Sequence, residues 1–179
     1  HLDKNTVKKE ILIVLPLIAF ILGCSEKIDK SAIKPVLMEQ LKNTHSEQNW
    51  FVLTKIAIQG LSAEQSNWKD STENHSIAEL VSHLSFWNGM NLRAFKGEDM
   101  SDFDVDNNAT FKKYTDQEWR ELVIKLDSIQ TEWERLTENA TDEQLTEWNS
   151  EILNMTAHNA YHTGQIIYIR KRNGWWDKK

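Results

Sequence analysis

The sequence predicts an all-α protein built as a four-helix bundle. Three observations carry this. Apolar residues recur at steps of three and four in four separate stretches, three Ser/Thr-x-x-Glu/Gln capping boxes precede helical segments, and strand signals are weak.

The first predicted helix opens at Pro35, a residue suited to a first helical turn. Leu37, Leu41, Gln48, Val52 and Ile56 share one face, and Gly60 ends the run. Ser62-Ala-Glu-Gln65 reads as a capping-box turn, and Trp68 to Asn74 as polar loop. Ser76-Ile-Ala-Glu79 is a second box. It opens a helix whose inner face carries Ile77, Leu80, Leu84, Trp87 and Phe95 and which Gly97 closes. An acidic stretch follows, with Glu98, Asp102, Asp104 and Asp106. Thr115-Asp-Gln-Glu118 starts the third long helix. Its seam of Trp119, Leu122, Leu126, Ile129, Trp133 and Leu136 is the narrow apolar stripe that bundles use. Thr141 to Trp148 is expected as a short helical turn. A fourth helix then runs from Ser150 to Arg172 and stops at Asn173-Gly174. Met155, His158, His162, Gln165 and Ile169 form its inner stripe. Four long helices joined by loops predict an antiparallel or mixed bundle.

A length of 179 residues suits one domain with a real core. The net charge of −6 offers no basic field for a nucleic-acid backbone, so no nucleic-acid partner is expected. Arg170, Lys171 and Arg172 fall at a helix end, where cations complement the helix dipole.

The N-terminal segment reads as targeting rather than fold. Lys4, Lys8 and Lys9 precede an uncharged apolar run from Ile11 to Leu22. That run is shorter than the roughly 20 residues a spanning helix needs, and it fits a signal-peptide core. It ends in Ile21-Leu22-Gly23-Cys24, which resembles a bacterial lipobox with Cys24 as the lipid-bearing residue. Cys24 is the chain's one cysteine, so no internal disulfide can use it. A plain signal peptide, or a short buried strand with a chance cysteine, is the alternative. The expected organisation is a signal segment over 1–23, a polar tether over 24–34, the bundle over 35–174 and a tail over 175–179. The expected location is the bacterial cell envelope, with the chain held at the membrane by a lipid anchor.

Three histidines point to a metal. His158 and His162 are four residues apart, one above the other on one helix face. They stand where apolar residues would be, and an unpaired polar group there costs about 1–3 kcal/mol. His83 lies within the inward arc of the second helix. Three neutral imidazoles with no ligating cysteine suit Zn, Ni or Fe(II), and three protein ligands leave an open coordination position. His45 and His75 are expected to be solvated. Gln48 and Gln165 face inward, to line a pocket or orient a ligand histidine. No general base is assigned: Glu79 falls on the far side of its helix, and Tyr161 points off the inner stripe.

Ser76-Ile-Ala-Glu-Leu-Val-Ser-His83 and His158-Asn-Ala-Tyr-His162-Thr-Gly-Gln165-Ile resemble the two signature segments of the DinB-like superfamily, which includes YfiT-type metal-dependent hydrolases. Leu61-Ser-Ala-Glu-Gln65 and Trp68 are similar as well, and the resemblance covers roughly Pro35 to Gly174. It implies a four-helix bundle, metal ligation by His83, His158 and His162, and a solvent or substrate position on the metal. Some members transfer low-molecular-weight thiols or isomerise substrates with a thiol cofactor. Export sets that activity behind hydrolysis here, because such thiols are kept in the cytosol. The reading favoured is a metal-dependent hydrolase or transferase acting on a small molecule. A non-catalytic metal- or ligand-binding envelope lipoprotein comes second, and a bundle with merely buried histidines third. Trp175 and Trp176 are candidates for a homodimer surface.

The lipobox makes a direct prediction. Cys24→Ala should release the protein from the membrane fraction on fractionation. Persistence of the unprocessed variant in the membrane, alongside unprocessed wild type, would defeat the assignment.

Overall fold

A computed structural model describes residues 33–72 and 74–176. The expected signal segment, the expected lipobox at Cys24 and the expected tether up to residue 32 lie outside the described residues, as do the last three residues of the expected tail. In chain order the helices are α1 (Ile33–Thr44), α2 (Thr54–Ile58), α3 (Ala63–Asn67), α4 (Ile77–Phe95), α5 (Asp116–Asn139) and α6 (Asp142–Arg172). A 3₁₀ turn, Asn107–Thr110, sits between α4 and α5, and no strand occurs among the described residues. The protein is thus an all-α bundle of α1, α4, α5 and α6, with α2 and α3 packed into the connection between the first two.

All three capping boxes form. Ser62, Ser76 and Thr115 each accept a hydrogen bond from the backbone N–H three residues on, and the side chains of Gln65, Glu79 and Glu118 each accept one from the backbone N–H of the cap. Each box satisfies two orphan donors of a helix start.

Three expected boundaries are corrected. The helix predicted from Pro35 to Gly60 is two helices, since α1 stops at Thr44 and α2 begins at Thr54. Between Leu41 and Val52 the expected face offers only His45 and Gln48, so no apolar contact holds a further turn. Ser46 and Glu47 instead fold their N–H groups back onto the Lys42 carbonyl, and the Thr44 hydroxyl bonds that of Leu41. Gln48 is exposed there, not inward. Ile33 and Lys34, given above to the tether, are already helical. At the other end, the predicted short turn and fourth helix are one continuous α6 of 31 residues capped by Thr141. Leu145 and Ile152, both wholly buried, carry the apolar spacing across the expected break, where neither Gly nor Pro occurs.

α1 and α4 each pack against both α5 and α6. Hydrogen bonds give the directions. Lys34 Nζ reaches the Glu138 carbonyl at 3.0 Å while His45, past the other end of α1, meets Asp127, so α1 and α5 are antiparallel. Gln144 bonds the Phe95 carbonyl and Asn159 bonds Asn88, so α4 and α6 are antiparallel. Ser82, early in α4, meets Tyr114 just before α5, and Lys96 at the end of α4 pairs with Glu132 at 2.9 Å. α4 and α5 are therefore parallel, and the bundle is mixed. The chain between them returns along the bundle as a crossover and lays the 3₁₀ turn against α4.

The core divides into two apolar clusters. One gathers Ile77, Leu80, Leu84, Trp119, Leu126 and Ile166; the other gathers Leu37, Leu92, Phe95, Trp133, Leu145 and Ile152. Between them Asn88 and Asn159 exchange two side-chain hydrogen bonds, of 2.8 and 3.1 Å. Asn88 is 0% exposed and Asn159 1%. Asn88 also donates to the Leu84 carbonyl, and its own carbonyl accepts from Trp133 Nε1. His45 is buried rather than solvated. Its two ring nitrogens lie 2.8 Å from Glu134 and 3.0 Å from Asp127, tying the end of α1 to α5.

Asn88→Ala should destabilise the fold by about 1–3 kcal/mol in urea denaturation, because it strands the buried amide of Asn159. The double change Asn88→Leu/Asn159→Leu should cost less than the sum of the two single changes. Additive costs would show that the amides do not act as a pair.

Candidate metal centre

His83 stands two turns into α4, and His158 and His162 stand one turn apart on α6. Because these helices run antiparallel, the early part of α4 lies against the later part of α6, and the three rings converge. His83 Nε2 is 3.1 Å from His158 Nε2, and His162 Nε2 is 2.8 Å from it. One nitrogen from each ring lies within 4.8 Å of the other two. His83 and His162 are buried and His158 is half-buried.

The opposite nitrogens are held in place. His83 Nδ1 lies 2.8 Å from the Thr110 hydroxyl, which donates its own proton to the Asn107 carbonyl. Thr110 must therefore accept, so Nδ1 carries the proton and Nε2 keeps a lone pair. His162 Nδ1 lies 2.6 Å from Gln165 Oε1, an obligate acceptor, with the same result. This is the arrangement that orients a metal-binding imidazole. The Gln165 amide nitrogen bonds the Tyr161 hydroxyl at 3.2 Å.

Burial pushes the His83 pKa down to about 4, with the neighbouring His158 and His162 imidazoles adding to the effect. Burial and then His162 bring His158 to about 4. His162 is lowered by burial, partly offset by its bond to Gln165. All three rings are then neutral at pH 7. The chemistry of the donor set fits a soft-to-borderline divalent metal: three neutral imidazoles, their Nε2 atoms close together, and a separation compatible with ligand bonds of about 2.0–2.1 Å.

His75 is not merely solvated. Its ring stacks on Phe111 at 3.6 Å between centroids, and Phe111 stacks on His83 at 4.5 Å, with all three rings nearly parallel. Gln165 supports the cluster as expected, whereas Gln48 and His45 lie outside it. Glu79 is buried instead of turned away. Its carboxylate accepts the Ser76 N–H at 2.8 Å and pairs with Lys69 at 3.0 Å. Tyr161 is exposed. Three residues that the sequence did not single out belong here. Thr110 and Phe111 come from the crossover. Glu151, one helical step of seven before His158, lines the surface depression of about 490 Å³ into which His83 and His158 open. No periodicity marks the crossover pair, although the spacing of Glu151 from His158 was available.

An α-helical bundle in which two antiparallel helices bring three imidazoles to one point defines the class of this protein. The family model of the DinB superfamily matches residues 47–166, and the chain belongs to that superfamily. No curated protein and no solved structure matches the chain.

The depressed histidine pKa values set a pH dependence. Below the ordinary value of about 6.5 the unfolded chain takes up protons that the folded, metal-free protein refuses, so stability falls as pH falls. Thermal melts of metal-free protein should decline between about pH 6.5 and 5, above the carboxylate range. In His83→Gln the slope over that window should be shallower. An unchanged slope would show that the cluster is not what titrates.

Proposed function

We propose that His83, His158 and His162 hold one divalent transition metal, Zn, Ni or Fe, and that the protein is a metal-dependent hydrolase or transferase of a small molecule. The observation that carries this is the pair of fixed tautomers, Thr110 on His83 and Gln165 on His162, which leave the Nε2 atoms of these two rings as lone pairs. When bound, the metal supplies Lewis-acid chemistry, polarising a carbonyl or acidifying water. The chain's own residues do the rest. Thr110 and Gln165 orient the ligand rings. Phe111 covers one face of His83 and limits water there. Among the described residues, Glu151 is the only acidic one lining the depression beside His83 and His158, which suits a general base. Trp87 and Met155 give the same depression apolar walls for a small substrate.

One observation favours the second reading, a non-catalytic metal-binding lipoprotein of the envelope. Among the described residues the ligand cluster contains histidines alone, with no carboxylate directly at it. In both readings Cys24 carries the lipid, and homodimerisation through the Trp175 region is part of the proposal.

His83→Ala, His158→Ala and His162→Ala should each purify with far less metal than wild type, while His45→Ala keeps it. Thr110→Val and Gln165→Leu should weaken metal affinity by about 10–100-fold. A screen of small esters, amides and lactones against the cobalt-substituted protein tests the reaction. Glu151→Gln should retain full metal and lose about 10²–10⁴-fold in turnover. Should no added ligand perturb the cobalt spectrum, the open position is refuted and the enzyme reading with it.

A further inference from the structure

A second cavity, of about 430 Å³, shares no lining residue with the depression beside His83 and His158. Its wall includes Gln165, which holds His162, and Tyr161, whose ring is 5.0 Å from that of His162. Trp68, His75 and Tyr168 add three more rings to the wall, beside the apolar Leu80 and Ile169. Tyr161 and Tyr168 are 63% and 65% exposed, an unusual amount of aromatic surface for side chains beside a buried site. The volume falls in the range of about 300–1,000 Å³ typical of small-molecule sites.

Gly164 supplies an independent observation. It sits in the interior of α6, where glycine costs stability relative to alanine. Nothing lies within 4 Å of where its Cβ would be, and its φ is not positive, so neither packing nor backbone conformation calls for glycine there. Gly89 differs, since a Cβ there would meet Ile129 at 3.4 Å. What Gly164 does is line the cavity, and its missing side chain keeps that space open.

The charges on the wall set the ligand class. Lys69 is paired with Glu79 at 3.0 Å, and Arg172 with Asp70 at 2.5 Å. Asp70 lines the wall beside both cations, so a charged ligand of either sign would have to compete with an existing ion pair. We propose that this cavity, bounded by Trp68, His75, Tyr161, Gly164, Gln165 and Tyr168, binds a planar, uncharged aromatic small molecule. One polar group on that molecule would meet the Gln165 amide or the Tyr161 hydroxyl. Aromatic walls favour offset or edge-to-face contact with such a ring. The proposal does not rest on the metal assignment, because no wall residue is a proposed ligand.

The probe is 2-naphthol, with binding to the full chain followed by saturation-transfer NMR and calorimetry. Wild type should bind it saturably at one site, and Gly164→Leu should weaken binding about tenfold or more. Gly164→Ala should melt about 2–4 °C higher than wild type, which shows that filling this position does not harm the fold. His158→Ala should bind 2-naphthol as wild type does. Absence of saturable binding to wild type, or unchanged binding by Gly164→Leu, overturns the proposal. Loss of metal reading alone, with 2-naphthol binding intact, would sink the metal proposal and leave this one standing.

Discussion

The reciprocal amide pair between Asn88 and Asn159 is the constraint on which the site depends. Two helices with apolar faces slide past one another at little cost, because Leu and Ile accept many partners. Two buried amides do not. Without the other, each keeps a buried oxygen or N–H unsatisfied, and they meet at one register of α4 against α6. Asn159 adjoins His158 in the chain, and Asn88 lies five residues beyond His83. The register that satisfies the amides is therefore the one that brings His83 to His158 at 3.1 Å. A shift of one turn, about 5.4 Å, would separate the rings and bury two unpaired amides.

The mixed topology completes what the amides begin. Because α4 and α5 are parallel, the chain must travel back along the bundle between them. That return carries Thr110 to the His83 Nδ1 atom and Phe111 to the face of the same ring. An up-down hairpin of α4 and α5 would need only a short loop and would leave His83 without either neighbour. The site is thus assembled from two helices and a crossover, and the crossover chooses the tautomer of His83.

Helix interiors were legible in the sequence where local signals and tertiary packing agree. The seam from Trp119 to Trp133 is buried as its spacing implies, and the three capping boxes close as written. Helix ends were legible only where a cap or a glycine stands, as at Ser76 and Gly97. The break after Thr44 has no such mark. It follows from the loss of apolar residues on one face and from competition by short polar side chains, which look like minor irregularities in a linear pattern. The join at Trp148 failed in the opposite direction, since a polar stretch was read as a gap where burial of Leu145 and Ile152 keeps one helix going. The three histidines were legible because they interrupt an apolar stripe. His45 interrupts one too, but its carboxylate partners Asp127 and Glu134 lie on a helix more than eighty residues away, and spacing says nothing of such partners. Thr110 and Phe111 belong to irregular chain, where residue type carries no direction.

The division of the core into two apolar clusters also bears on how such a chain can diverge. The cluster around Trp133, Leu145 and Ile152 reaches the histidine end through Met155, which lines the depression beside His83 and His158. It holds the far half of the bundle together whatever chemistry the other half performs. The cavity walled by Leu80 and Ile169 adjoins the cluster around Leu80 and Trp119 instead. One end of the molecule serves as ballast, and the other is free to explore new ligands under the same three rings.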